Sequence, residues 1–208
     1  MRFRYVLLAG CLLSSIGFGQ SFEAAISGGV SRFGDAQLGT ATGIATDPQY
    51  VMKDGFRLTF RMALNSWRFF GHEFGYSYNH TSLEIPPIST PTLAGQTTTP
   101  ATTISVPVHQ GFYDFLIYAT PEGTKVRPFA AGGVQFSSFF PPGTSAYYGN
   151  QVTKYGINYG GGIKVRVTDI WGFRFDVRFY NMGKPFDFPN QSGRLIQQEY
   201  SAGLSFNL

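Results

Sequence analysis

The chain has 208 residues, of which 13% are charged and 17% aromatic. A soluble domain carries roughly 25% charged residues, so this composition argues against an ordinary water-facing surface. The formal net charge of +4 falls once Arg2 and Arg4 are set aside with an N-terminal leader, and no Lys/Arg cluster remains for a nucleic-acid partner.

In chain order the leader comes first. Arg2 and Arg4 precede an apolar run from Tyr5 to Ile16, and Gly17 and Gly19 flank Phe18. Charged, apolar and small-residue parts in that order predict a secretory signal peptide over residues 1–19, leaving 20–208 as one domain. Leu8-Ala9-Gly10-Cys11 is also similar to a lipobox, which would make Cys11 a lipidation site; the apolar residues continuing past Cys11 suit a single cleaved leader instead. Cys11 is the one cysteine of the chain, so the processed protein is expected to have no disulfide.

After the leader, no run approaches the roughly 20 apolar residues of a membrane helix. Eight strands are predicted instead, at 22–32, 55–64, 69–83, 104–119, 126–137, 154–167, 172–180 and 195–208. The alternation is plainest in Phe173-Arg174-Phe175-Asp176-Val177-Arg178-Phe179-Tyr180 and in Gly55-Phe56-Arg57-Leu58-Thr59-Phe60-Arg61-Met62. Side chains on a strand point alternately to opposite faces, so each segment has one greasy and one ionic face. Tight connections at 65–68, near 121–124 and at 168–171 alternate with long ones at 34–54, 84–103, 138–151 and 181–194. Short turns at one end and long loops at the other mark outer-membrane barrels, and place both termini in the periplasm. The Thr- and Pro-rich stretch 86–103 reads as solvated and mobile. The expected fold is therefore all-β, an eight-stranded antiparallel up-and-down transmembrane β-barrel.

Alternation alone fits a soluble lipocalin-like barrel with its apolar face inward equally well. Three features favour lipid outside. Trp67, Phe69, Phe70, Trp171 and Phe173 cluster at the short-turn end, as an interfacial girdle does. The polar face is rich in Gly, as at Gly71, Gly75, Gly156, Gly160 and Gly162, which would leave room for large side chains in a narrow interior. That face also mixes Glu23, Glu73, Asp114, Asp176 and Glu199 with Arg57, Arg61, Arg127, Lys164, Arg174 and Arg178. Buried charge is tolerable when paired, so the set predicts an internal lumen charge network; a solvated polar face is the blander alternative.

Residues 126–134, the Gly-rich run within 155–167, the 173–180 strand and the final Tyr200-Ser201-Ala202-Gly203-Leu204-Ser205-Phe206-Asn207-Leu208 together resemble the small outer-membrane β-barrel proteins of the OmpA and OmpX type. The likeness covers essentially all of the processed sequence. It implies an outer-membrane location, contact with outer-membrane lipids and lipopolysaccharide, and insertion by the barrel-assembly machinery. Tyr200, Gly203, Phe206 and Leu208 resemble the C-terminal assembly signal of that family, although members commonly end in an aromatic residue and Leu208 departs from this. The peptidoglycan-binding domain of OmpA itself is not expected here. The family implies no single activity, because one scaffold serves several.

The residues with catalytic types at a shared spacing are His80, Ser82 and Glu84, which would lie on one strand face. They are similar in spacing to the His and Ser of barrel lipid A deacylases, but the strand is already entering its loop, where polar residues need no special explanation. His72 and His109 have no partners at ligand spacing, so neither a metal site nor a cofactor is expected. Gly160-Gly161-Gly162 is not a phosphate loop, because no Lys-Ser/Thr and no helix follow. Phe139, Tyr147 and Tyr148 read either as exposed anchors for a surface ligand of the loops or as members of an outer aromatic belt. The expected role is structural or surface-interacting rather than enzymatic. A narrow low-conductance pore or small-solute transporter is the first alternative, and a lipid A-modifying hydrolase the second.

Overall fold

Period-two alternation is satisfied by strands whose apolar faces all turn the same way, and the sequence closes them into a ring. The computed structural model describes residues 21–34, 36–41, 47–92 and 95–207. The leader, Cys11 and Leu208 lie outside the described residues. Eleven strands run through the described part: β1 Ser21–Gly34, β2 Gln37–Thr40, β3 Gln49–Trp67, β4 Phe70–Ile85, β5 Ile88–Thr92, β6 Gly95–Thr99, β7 Thr102–Tyr118, β8 Val126–Phe139, β9 Val152–Arg166, β10 Trp171–Gly183 and β11 Arg194–Asn207. Eight of them form a closed antiparallel barrel in the order β1-β11-β10-β9-β8-β7-β4-β3, with β1 pairing back onto β3. The seam matches Glu23 with Asn207 and Ser31 with Glu199, and on its other side Ala25 with Arg61.

Exposure fixes which face is inside. Along β3, Phe56 and Met62 are each 55% exposed whereas Arg57 and Thr59 are 0% and Arg61 2%. The charges therefore point into the lumen and the rings outward, opposite to a lipocalin-like soluble barrel. Inward glycines make the narrow interior fillable. A Cβ on Gly75 would overlap the ring of Phe112, and one on Gly162 would meet the Phe129 ring at 2.8 Å. Packing of large inward side chains requires no side chain at these positions.

Two long connections differ from the sequence reading. Within 84–103, β5 and β6 pair as a separate two-stranded hairpin, from Ile88 opposite Thr99 to Thr92 opposite Gly95. The β-branched Thr residues supply strand propensity there, while the absence of alternation and the presence of Pro91 hid it. Within 34–54, β2 adds to the edge of β3, which itself starts at Gln49. The connections at 140–151 and 184–193 carry no strand.

Candidate functional site

The barrel interior holds the chemistry. β10 supplies an inward ladder, Arg174, Asp176 and Arg178, because its even positions all face the lumen. Arg174 binds Asp176 on its own strand through Nε at 2.7 Å and reaches across the barrel to Glu73 on β4 through Nη1 at 2.6 Å. Arg178 contacts Asp114 on β7 at 2.7 Å and Glu73 at 3.0 Å. On the other side Arg61 pairs with Glu199 at 2.6 Å, and Arg57 with the same carboxylate at 3.0 Å. Lys164 binds Glu23 at 2.7 Å and the Tyr118 hydroxyl at 2.9 Å. Tyr180 donates its hydroxyl to Glu199 at 2.7 Å, and its ring lies 4.4 Å from the Arg57 guanidinium.

Ten of the eleven residues expected in the lumen network are thus joined by ion pairs. Arg127 is buried, but it makes no ion pair among the described residues; its guanidinium lies 3.6 Å from the centre of the Tyr118 ring. Sequence reading missed the neutral members. Gln110 donates to Ser137 at 2.7 Å and to Gln197 at 2.6 Å and also accepts from Arg57, which ties β3, β7, β8 and β11 together above the ions. Their inward parity was the available signal.

Apolar layers close the ionic section at both ends. Towards the long loops, Leu38, Met52, Val106, Val108, Phe139, Met182 and Leu195 pack together, with Phe186 and Phe188 of the 184–193 connection against them. Phe139 is completely buried there, which corrects its reading as a surface anchor or belt residue: its odd position on β8 faces the lumen. Tyr147 and Tyr148 do stand out, 89% and 76% exposed, and stack edge-on with ring centres 5.2 Å apart. Towards the short turns, Ala63, Leu116, Tyr118, Phe129 and Ala131 form the second layer. Beyond it lies a cavity of about 130 Å³ lined by Arg127, Lys164, Asn65, Ser205 and Asn207, among others.

The long-loop end is tied rather than loose. Thr40 donates its N–H to the Pro189 carbonyl at 2.9 Å, and Tyr50 stacks on Phe188 with ring centres 3.9 Å apart. Phe186, Asp187 and Asn190 take positive φ angles of 73°, 41° and 55°, sharp turns that press this connection onto β2.

The remaining expected residues are placed as follows. Phe69 and Phe173 are exposed on the outer face, Phe70 and Trp171 half-buried, and the Trp67 side chain lies outside the described residues. Trp171 and Phe173 meet edge-on at 5.5 Å. Tyr200 and Phe206 face outward on β11, and Gly203 sits opposite Ser27 and Arg174. His80 and Ser82 are not hydrogen-bonded to each other, and Glu84 is engaged by Lys53 across the β3–β4 pair. His72 accepts or donates at 2.7 Å to the Tyr113 hydroxyl, and His109 pairs likewise with Tyr76, both on the outer face. Among the described residues no three His, Cys, Asp or Glu gather as a metal-holding group.

A family model described as "Outer membrane protein beta-barrel domain" matches residues 9–207. Among curated proteins, none matches this sequence. Two of the solved structures it resembles share the fold. Neisserial surface protein A is 13% identical, with 91% of this chain and 99% of that one aligned at a TM-score of 0.57. Outer membrane protein AlkL, solved in DMPC bilayers by solid-state NMR, is 14% identical over 93% of each chain at 0.54. The attachment invasion locus protein of Yersinia pestis, in complex with the heparin analogue sucrose octasulfate, is 10% identical over 90% of this chain and 99% of that one at 0.48.

Proposed function

The chain belongs to the outer membrane protein beta-barrel domain family, and we propose that it serves there as a closed, non-conducting barrel whose role is structural and surface-interacting. The observation that carries this reading is the filled lumen. An ion-paired section in which Arg57, Arg61, Glu73, Asp114, Arg174, Asp176, Arg178 and Glu199 are each at most 2% exposed lies between two packed apolar layers. Eight strands give an interior just wide enough for side chains to fill, and here they fill it. What remains available to partners is the long-loop end, where the Tyr147–Tyr148 pair stands free of the wall. Rigid aromatic rings with polar tips are the residue type that anchors interfaces.

The same reading makes residues 1–19 an export signal and puts the short turns in the periplasm. It assigns the chain no catalysis: a nucleophile, base and orienting acid act as a hydrogen-bonded set, and Glu84 is held by Lys53 instead. Outer-membrane lipids would contact the aromatic outer face, with Phe206 and Tyr200 serving assembly.

Planar-bilayer recording on the refolded full chain tests the central point. The expected trace is silent at physiological salt, from protein whose gel mobility changes on boiling; discrete conductance steps would favour the pore instead. A peptide tag inserted after Gly149 should be labelled on intact cells, and labelling only after envelope disruption would reverse the orientation.

A further inference from the structure

The β5–β6 hairpin stands outside the barrel wall with one of its two edges open. It continues the β4–β7 pair in the same register, from Ile85 opposite Thr102 to Ile88 opposite Thr99, and so prolongs that ribbon beyond the long-loop rim. Among the described residues it joins no other sheet, and Gln96, Thr97, Thr98 and Thr99 are all exposed. A hairpin of two strands is marginal by itself in water.

Pro91 decides which backbone groups point outward. It has no N–H to give β6, so it belongs to a pair that is not hydrogen-bonded across the hairpin, and so does Gln96 opposite it. The Ser89 and Thr98 hydroxyls, 3.1 Å apart, mark their pair as another of that closer kind. The backbone groups of Ser89, Pro91, Gln96 and Thr98 therefore aim away from the hairpin. On β5 this edge is blunted, because Pro91 lacks a donor and Pro87 precedes the strand. On β6 it is open: Gln96 and Thr98 each present a donor and an acceptor, and no hydrogen bond among the described residues uses them. Proteins commonly guard such an edge with a charge, yet no charged side chain lies between Glu84 and His109.

Pro100 ends the open window, so a strand longer than β6 gains nothing beyond it. The window does match a copy of itself. Turned about a two-fold axis at Thr97, Gln96 of one chain faces Thr98 of the other, and each N–H donates to the opposing carbonyl. Threonine rungs are favourable cross-strand pairs, and neither strand brings a charge to repel the other. Such pairing is antiparallel. Barrels side by side in one membrane point their hairpins the same way, so the copy must come from a facing membrane. We infer that the β6 edge, Gly95–Thr99, is a homotypic adhesion surface that pairs with β6 of a second copy in an apposed membrane. Each contact is small, and many copies per membrane multiply it. This rests on the surface-interacting reading above and names its partner as the chain itself.

Light scattering from vesicles reconstituted with the full chain tests the surface. Wild-type vesicles should cluster and protein-free ones should not. Thr98→Pro removes a donor from the open edge and should slow clustering at least fivefold. Ser89→Pro makes the same change on the blunted edge and should leave the rate within twofold. Absent clustering in wild type, or a smaller slowing in Thr98→Pro, overturns the inference. Loss in both proline variants passes the decision to Thr97→Cys in a Cys11→Ala background. Thr97 meets its own copy on the two-fold axis, a close cross-strand pair suited to a disulfide. Mixed vesicles carrying two sizes of tag should then give a mixed disulfide dimer on mild oxidation, and Ser89→Cys should not. No such dimer at Thr97, or an equal yield at Ser89, overturns the inference. Conductance steps from protein that still clusters vesicles would remove the closed-barrel reading and leave the adhesion surface standing.

Discussion

Glu73 and Arg174 stand on strands four places apart in a ring of eight, yet their Oε2 and Nη1 atoms meet at 2.6 Å across the lumen. Glu73 also holds Arg178 at 3.0 Å and approaches Arg61 at 3.5 Å, so one carboxylate serves three guanidinium groups from two walls. Replacing a buried pair with well-packed apolar groups is often neutral, whereas removing one partner strands the other charge.

Glu73→Gln should therefore cost about 3–5 kcal/mol. The measurement is the urea midpoint of intrinsic fluorescence for the refolded barrel. Glu73→Gln with Arg174→Gln together should cost less than the sum of the two, because the second change removes one of the stranded cations. Strict additivity would mean that the contact contributes nothing.

The outer face makes an opposite demand. Phe175 is 50% exposed and paired with Ile163 and Ala202 on the flanking strands, near the middle of β10. Phe175→Arg should lose roughly 2–4 kcal/mol in lipid vesicles, while Tyr147→Arg in the loop should stay within about 0.5 kcal/mol of wild type. Unfolding titrations of both in the same vesicles decide it; equal midpoints would be incompatible with lipid on the Phe175 side.

The Gly75–Phe112 contact predicts a coupled pair. Gly75→Ala pushes a methyl into the Phe112 ring and should cost about 1–3 kcal/mol. In a Phe112→Ala background, itself costing about 3–5 kcal/mol, the added methyl should be nearly free. A double-mutant cycle showing no coupling would mean that the ring does not rest on Gly75.

At the long-loop end, Phe188→Ala removes the stack on Tyr50 and one wall of the apolar layer. Limited proteolysis should then cut within 184–193 at least tenfold faster, with the boiled and unboiled gel mobilities still distinct. Unchanged cutting would show that the Thr40–Pro189 hydrogen bond and its neighbours suffice to hold the connection.

The barrel was legible in the sequence because a membrane imposes alternation over many residues at once. Phe173 to Phe179 displays it without a break, and the facing assigned from it agrees with the exposure of every charged residue of β10. The apolar layer near the long loops was not legible, for a physical reason. On β7 the inward residues there are Val106 and Val108 and the outward ones include Ser105 and His109, so the polarity of the two faces reverses. A strand leaving the hydrocarbon has no lipid to satisfy outside, and its greasy residues turn in. Phe139 was misread for the same reason, and the β5–β6 hairpin, polar on both faces, offered no period to detect. The lone status of Arg127 could not come from spacing at all, since it depends on which acids the opposite wall happens to present.

Each lip of the closing seam carries an acid, Glu23 on β1 and Glu199 on β11, and each is matched by cations rooted elsewhere in the wall: Lys164 on β9 for one, Arg57 and Arg61 on β3 for the other. A nascent sheet still unzipped along this line would leave those bases hydrated and uncoupled. Joining the first and last ribbons is thereby the step that neutralises the interior, so completion of the cylinder and expulsion of its water arrive together.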